Sequence, residues 1–334
     1  MDHRKTFVTL GMFIIDEFSF TDEQGNPTGR TLAPQIGGGG TYAAIGARIW
    51  LPAERVGMVV DKGNDFPRDI EEKLVAYGKD MWLFRDQPNR GTTRAVNSYR
   101  GEQRGFEYST PRMRLTPNDL KGNPLENPKV LHFICSPTRA SAIISELETG
   151  WSSTTVYEPI PYRCTPEELP ALKQVLPHIS ILSPNAEEAL ALLALPSPAS
   201  KETIERAADK FLEFGVGQSG SGWVIIRSGA LGAYVKSRDI VGTWVEAFWS
   251  TNESEKVVDV TGAGNSFLGG LSAGLELSSG DVLGATLYAS VSASFTIEQE
   301  GLPLVTQSLD ETWNGDRPLR RLQVLRERCG RMSN

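Results

Sequence analysis

Cysteine and histidine are scarce in this chain of 334 residues, with three of each. Cys135, Cys164 and Cys329 are odd in number and widely spaced, which excludes a disulfide framework and zinc-ligand spacing and fits a reducing compartment. His3, His132 and His178 are scattered, so the sequence offers neither a histidine metal cluster nor a Ser-His-Asp arrangement. No apolar run approaches the roughly 20 residues that a membrane helix needs. The N-terminus has no charged-then-apolar segment of the signal-peptide type. A surplus of positive charge is lacking too: 34 Lys and Arg stand against 41 Asp and Glu, a net charge of -7. That balance argues against a sequence-independent grip on nucleic acid or on an anionic membrane. The expectation is a cytoplasmic protein with no nucleic-acid or membrane partner.

What is present reads as an α/β chain. An apolar run from Phe7 to Ile15 is expected as a strand, and Thr41 to Trp50 after four glycines, Gly37 to Gly40, as a helix packed closely on a sheet. Strand and helix patterns then alternate: strand 55–60, helix 67–77, strand 81–84, and later strands at 130–135, 154–157, 179–182 and 223–226 with helices between them. This alternation predicts a doubly wound, mainly parallel sheet flanked by helices. The terminal arginines, among them Arg320, Arg321 and Arg328, alternate with Leu319, Leu322 and Leu325 at helical spacing, which predicts a docked surface helix.

Two insertions at about 17–36 and 90–111 interrupt the alternation and read as β-hairpins. They are expected to pair as a small β-sheet lid over a site at the carboxyl ends of the strands, where open α/β sheets bind ligands. The whole of 1–334 is read as one domain with this lid.

The run Asp259-Val260-Thr261-Gly262-Ala263-Gly264-Asn265-Ser266 lies between a strand and a long helix. Small residues at 262–264 let backbone N–H groups converge, and the helix N-terminus adds partial positive charge, so the turn suits an anion such as phosphate. Alone it is equally a tight structural turn.

This run resembles the C-terminal signature of the ribokinase-like PfkB carbohydrate kinases, and further matches follow in the family's order. They are Gly11 and Asp16, the glycines at 37–40, Thr93 and Arg94, Asn185-Ala186-Glu187-Glu188, and Ser228-Gly229-Ala230-Leu231-Gly232. The resemblance spans nearly the whole chain and is nearest to a divergent fungal branch linked to maintenance of killer-toxin virus. It implies a ribokinase-like fold and ATP-dependent phosphotransfer, with Mg²⁺ and K⁺, to a hydroxyl of a small sugar-like or nucleoside-like molecule. Asp16 would accept a substrate hydroxyl, Gly38 and Gly39 would let backbone approach it, and Arg94 would contribute from the lid. Gly262, Ala263 and Gly264 would form the anion hole; Asn185 and Glu188 would order Mg²⁺ through water. Ser228, Gly229 and Gly232 would lie along the nucleotide, and Asp259 and Thr261 would supply oxygens to a monovalent cation. The lid edges would allow a homodimer. From the residues alone, Asp16 is equally a strand-end cap, Asn185 a helix N-cap and Glu188 a solvated face.

Two positions depart from the family pattern. Tyr42 stands where an Asn that binds substrate is usual; its phenol either narrows the pocket or faces the core. Asn265 stands where the family has the Asp that takes the proton of the attacking hydroxyl, and an amide cannot act as that base. Four explanations stay open at this stage: an engineered inactive variant, a natural pseudokinase that acts as a nucleotide- or metabolite-binding sensor or scaffold, a substitute carboxylate such as Asp259, or an acceptor that needs little base assistance.

Overall fold

The computed structural model describes residues 4–100, 103–147, 150–306 and 310–332. His3 and residues 101–102 of the second insertion lie outside the described residues. The chain opens with β1 (Phe7–Thr9), crosses 10–13 without regular structure and enters β2 (Ile14–Thr21). The single strand expected from Phe7 to Ile15 is thus two strands in two different sheets. Leu10 N still donates to the His132 carbonyl of the main sheet, but Thr9 Oγ1 takes the Gly11 N–H at 2.9 Å, and Ile15 N donates to the Thr93 carbonyl, just before β6 of the smaller sheet.

Next come β3 (Gln35–Gly37), α1 (Gly39–Arg48), β4 (Val56–Gly63), α2 (Arg68–Val75), β5 (Trp82–Gln87), β6 (Arg94–Arg100) and β7 (Gln103–Tyr108). The middle of the chain carries β8 (Val130–Cys135), α3 (Pro137–Ser145), β9 (Thr154–Pro159), α4 (Leu169–Val175), β10 (Ile181–Leu182), α5 (Ala186–Leu192) and α6 (Lys201–Glu213). It finishes with β11 (Trp223–Arg227), β12 (Ala233–Ser237), β13 (Thr243–Val245), α7 (Ala263–Leu277), α8 (Val282–Thr296) and α9 (Pro318–Met332).

The main sheet has nine strands in the order β13-β12-β11-β10-β9-β8-β1-β4-β5. From β11 across to β5 every pairing is parallel, and β12 and β13 are added antiparallel at one edge. Consecutive strand residues feed opposite faces: Val56, Met58 and Val60 join one core with Ile181 and Ile225, whereas Val59, Leu182, Val224 and Ile226 join the other. Helices cover both faces, so these strands read as continuous apolar runs. The first core takes residues from α1, α2, α7, α8 and α9; the second takes them from α3, α4, α5 and α6. Helix α9 docks through Leu322 and Leu325 while Leu319 faces solvent.

The insertions build a second sheet in the order β3-β2-β6-β7, with antiparallel outer pairs and a parallel β2–β6 pair at its centre. Among the described residues no helix is long and apolar enough to cross a membrane.

Helices α1 and α7 are placed side by side by two glycines. A β-carbon at Gly46 would overlap the Ser266 carbonyl, and one at Gly269 would overlap the Ala43 carbonyl. The hydrogens at these positions let the two backbones touch and bring both helix N-termini to the same end of the sheet.

Candidate active site

Strand ends and helix starts converge at the carboxyl edge of the parallel strands, and two cavities meet there. The first, about 770 Å³, is lined by Asp16, Gly38, Gly39, Tyr42, Gly262 and Asn265. The second, about 980 Å³, is lined by Asn185, Glu188, Ser228, Gly229, Gly264 and Asn265. Glu158, Pro161 and Asn265 line both, so they form a shared wall.

Gly262 caps α7 in a left-handed conformation, φ 76° and ψ -5°, which L side chains rarely adopt. A β-carbon there would also run into the Tyr42 ring, which is packed beneath the turn and only 4% exposed. Tyr42 therefore does both things its position allows: its ring is buried, and it narrows the first cavity. Burial, reinforced by the nearby Asp16 charge, raises the proton affinity of its phenol. Gly39, at the start of α1, sits so close to Asn265 that a β-carbon would lie 3.1 Å from Nδ2.

The polar centre of the shared wall is a group of side chains from the ends of β9 and β11, the middle of β8 and the first turns of α5 and α7. Asn265 donates from Nδ2 to Glu158 Oε2 at 2.6 Å. Glu158 Oε1 lies 2.8 Å from Arg227 Nη2, which also donates to the Ser183 carbonyl at 3.0 Å and lies 3.5 Å from Glu188 Oε2. His132, fully buried on β8, faces Glu158 Oε2 with Nε2 at 3.7 Å and pairs through Nδ1 with Thr9 Oγ1 at 3.0 Å. Burial opposes ionisation of Glu158, but Arg227 and His132 outweigh it and hold the carboxyl below its ordinary range. Glu188 goes the other way: burial, with Glu158 nearby, pushes its carboxyl up to about 7 against the pull of Arg227. One guanidinium cannot serve both carboxylates equally, and Glu158 is the nearer. Arg227 also lies against Gly264 in the first turn of α7, with its buried Nε unpartnered.

Asn185 and Glu188 form a reciprocal capping box on α5: Glu188 N donates to Asn185 Oδ1 at 2.8 Å, and Asn185 N donates to Glu188 Oε2 at 2.7 Å. Glu188 is 5% exposed, so it is not a solvated face. Across the second cavity, Ser228 N donates to the Gly232 carbonyl at 2.7 Å, closing a turn in which Gly229 and Gly232 both have positive φ, 55° and 88°.

Asp259 accepts from Thr261 N and Oγ1 at 3.0 and 2.8 Å and lines a third cavity of about 240 Å³ with Asp16, Tyr42 and Thr261. It lines neither of the two large cavities, so the carboxylate beside Asn265 is Glu158, not Asp259. Arg94 is held by Glu17 and Asp65, each at 3.0 Å, and lines none of these cavities. Among the described residues no group of three or more His, Cys, Asp or Glu could hold a metal ion. Glu188, a buried carboxylate facing the second cavity, is the residue suited to a divalent cation whose remaining ligands are phosphate oxygens and water.

Sequence reasoning missed Glu158 and Arg227. Their signal was a charged residue closing an otherwise apolar strand, TTVYE and WVIIR, at the end where α/β sheets bind ligands.

Comparison with known proteins places the chain in context. The profile of the pfkB family carbohydrate kinase matches residues 5–307. An uncharacterised protein of Schizosaccharomyces pombe is 34% identical, covering 95% of this chain and 91% of its own length. Protein MAK32 of Saccharomyces cerevisiae is 31% identical over 98% of this chain and 93% of its own length. Among solved structures, a putative ribokinase II of E. coli in complex with ATP and Mg²⁺ superposes with a TM-score of 0.65 at 21% identity, covering 97% of this chain and 99% of that one.

Proposed function

The chain belongs to the pfkB carbohydrate kinase family, and from that premise we propose that it transfers the terminal phosphoryl group of ATP to a hydroxyl of a small sugar-like or nucleoside-like compound. The observation that carries this reading is the wall of Glu158, Pro161 and Asn265 common to two cavities, with the N-terminus of α7 opening beside it. Such a wall is where an acceptor in one cavity and a triphosphate in the other would meet.

In this reading the acceptor occupies the first cavity, with Asp16 taking one of its hydroxyl protons as a hydrogen bond. The Ala263 N–H is already given to the Val260 carbonyl at 3.2 Å, so the N–H groups of Gly262 and Gly264, with the unpartnered Nε of Arg227, stabilise charge on the transferring group. The attacking oxygen bonds to phosphorus as the bond to the bridging oxygen of ADP breaks, and the hydroxyl proton passes to Glu158. That carboxylate, held ionised by Arg227, takes the place of the Asp that Asn265 lacks. Asn185 and Glu188 would hold Mg²⁺ through water, and the ion would neutralise charge on the phosphates. Asp259 and Thr261 offer oxygens to K⁺ beside the turn.

A second reading, a silent nucleotide- or metabolite-binding sensor, is motivated by the amide of Asn265 locked onto Glu158. The two are separated by incubating the protein with ATP, Mg²⁺, K⁺ and a pool of sugars, nucleosides and polyols, and following products by mass spectrometry. The kinase reading expects a phosphorylated product that disappears in Asp16→Asn. ATP binding without any product, from this protein and from Asn265→Asp alike, abandons it for the sensor.

A further inference from the structure

The first cavity carries a charge pattern that the kinase reading leaves unused. Arg112, Arg114 and Arg139 all line it, and none of them lines the second cavity. Among the described residues none of the three meets a carboxylate within ion-pair distance. Arg112 lies over the Tyr108 ring at 4.8 Å and donates from Nη1 to the Tyr162 hydroxyl at 2.7 Å. Arg139, in the first turn of α3, donates from Nη2 to the Leu115 carbonyl at 3.0 Å. Their charges overlap in space. Burial raises the proton affinity of the Tyr108 phenol while Arg112 and Arg114 offset it. Burial likewise pushes the Cys135 thiol up to about 12 while Arg139 and Arg114 offset it.

A fourth arginine of this cavity, Arg163, is already engaged by Glu168, and of the two acidic residues lining it, Asp16 and Glu158, the latter is committed to Arg227 and Asn265. Arg112 and Arg139 are half-buried and Arg114 is exposed, so in a chain of net charge -7 three like charges line one cavity with solvent alone to screen them unless an anion joins them. Tyr108 and Tyr162 fix Arg112 in place, so a bound anion would meet a pre-set donor rather than a free side chain. The cavity's 770 Å³ holds a small polyol together with such a group.

We propose that the acceptor substrate is anionic: a phosphate ester or a carboxylate bound by Arg112, Arg114 and Arg139, on a molecule that also presents a hydroxyl at Asn265 and Glu158. The hydroxyl part rests on the kinase reading; the anion site does not.

The test compares matched probes by calorimetry: ribose, ribose 5-phosphate and ribonate, and fructose, fructose 6-phosphate and gluconate. In each set an anionic member binds at least about tenfold tighter than the neutral one, the scale of one or two charge-assisted contacts. The phosphate and carboxylate arms identify which anion the wall prefers. The Arg112→Gln/Arg114→Gln variant erases the preference while melting temperature and ATP binding stay as in the parent, which excludes misfolding. Anionic probes binding no tighter than neutral ones, or a preference that survives the double variant, overturns the proposal. If an anionic probe binds tightly but yields no phosphorylated product with ATP and Mg²⁺, the anion site stands and the kinase reading fails.

Discussion

Asn265 gives its amide Nδ2 to Glu158 Oε2 at 2.6 Å, joining the first turn of α7 to the end of β9 at the wall between two cavities. An amide beside a carboxylate leaves that carboxylate ionised, whereas a carboxylate in the same place would repel it. On the kinase reading proposed above, Glu158 on the strand is the carboxylate that stands in for the one position 265 lacks. The pairing therefore makes a specific claim about which residue accepts a proton.

Replacing Glu158 by Gln is expected to lower kcat by about 10²- to 10⁴-fold, the usual contribution of a general base, while ATP affinity changes little. The double change Glu158→Gln/Asn265→Asp returns the carboxylate to the helix and recovers much of the loss. Asn265→Asp alone sets two carboxylates at hydrogen-bonding distance, so its pH-rate profile moves to higher pH. Full turnover by Glu158→Gln would remove Glu158 from the chemistry.

Arg227→Met strips the shared cation from two buried carboxylates, Glu158 and Glu188. The expected cost is about 3–5 kcal/mol at pH 7, measured by urea unfolding. The loss should shrink toward pH 5 as the carboxyl groups take up protons. An unchanged midpoint at both pH values would show that the cluster does not hold this end of the sheet together.

The Glu188 carboxyl, raised from an ordinary 4.5 to about 7 chiefly by burial, binds its proton more tightly in the folded than in the unfolded chain. Its contribution to stability is therefore fully present below about pH 4.5 and is lost as pH rises through about 7. Each tenfold difference in proton affinity corresponds to about 1.4 kcal/mol. Glu188→Gln keeps an acceptor for the capping box but cannot ionise. Its melting temperature, compared with the parent's in metal-free buffer, should gain from pH 5 to about pH 7 and level off above that; parallel curves throughout would show that Glu188 is already ionised at neutral pH.

Gly262→Ala forces a left-handed residue to carry a β-carbon, at about 1–2 kcal/mol, and drives that carbon into the Tyr42 ring. ATP affinity by calorimetry is expected to fall at least about tenfold, since 1.4 kcal/mol corresponds to that factor. Adding Tyr42→Ala relieves the overlap but not the backbone strain, so only part of the affinity returns. A fully active Gly262→Ala would mean that this turn does not hold the phosphate.

Local chemistry made much of the architecture legible. The two-sided burial of the parallel strands writes itself as apolar runs such as Val56 to Val60, and Asn185 reads as a helix start because its short side chain can accept from the first turn, whereas Glu188, read as a solvated face, is buried and completes a capping box. The glycines at 262 and 264 and the small residues around them announce a turn that backbone amides can line. Sequence could not show the break after Thr9, because both halves of the run from Phe7 to Ile15 are apolar and the Gly11 amide turns to the Thr9 hydroxyl oxygen where the chain leaves the main sheet.

By itself, then, the sequence determined the alternating α/β order, the glycine-rich turn before the long helix and the absence of an Asp at 265. Only the tertiary structure decided which carboxylate lies beside Asn265, where the Tyr42 ring packs, and which arginines share a cavity. Glu158, Arg227 and Asn265 belong to separate strand and helix ends far apart in the chain, and no local pattern encodes their meeting. They converge because parallel strands all end at one edge of the sheet, and because Gly46 and Gly269 let α7 settle against α1 until its first turn reaches that edge.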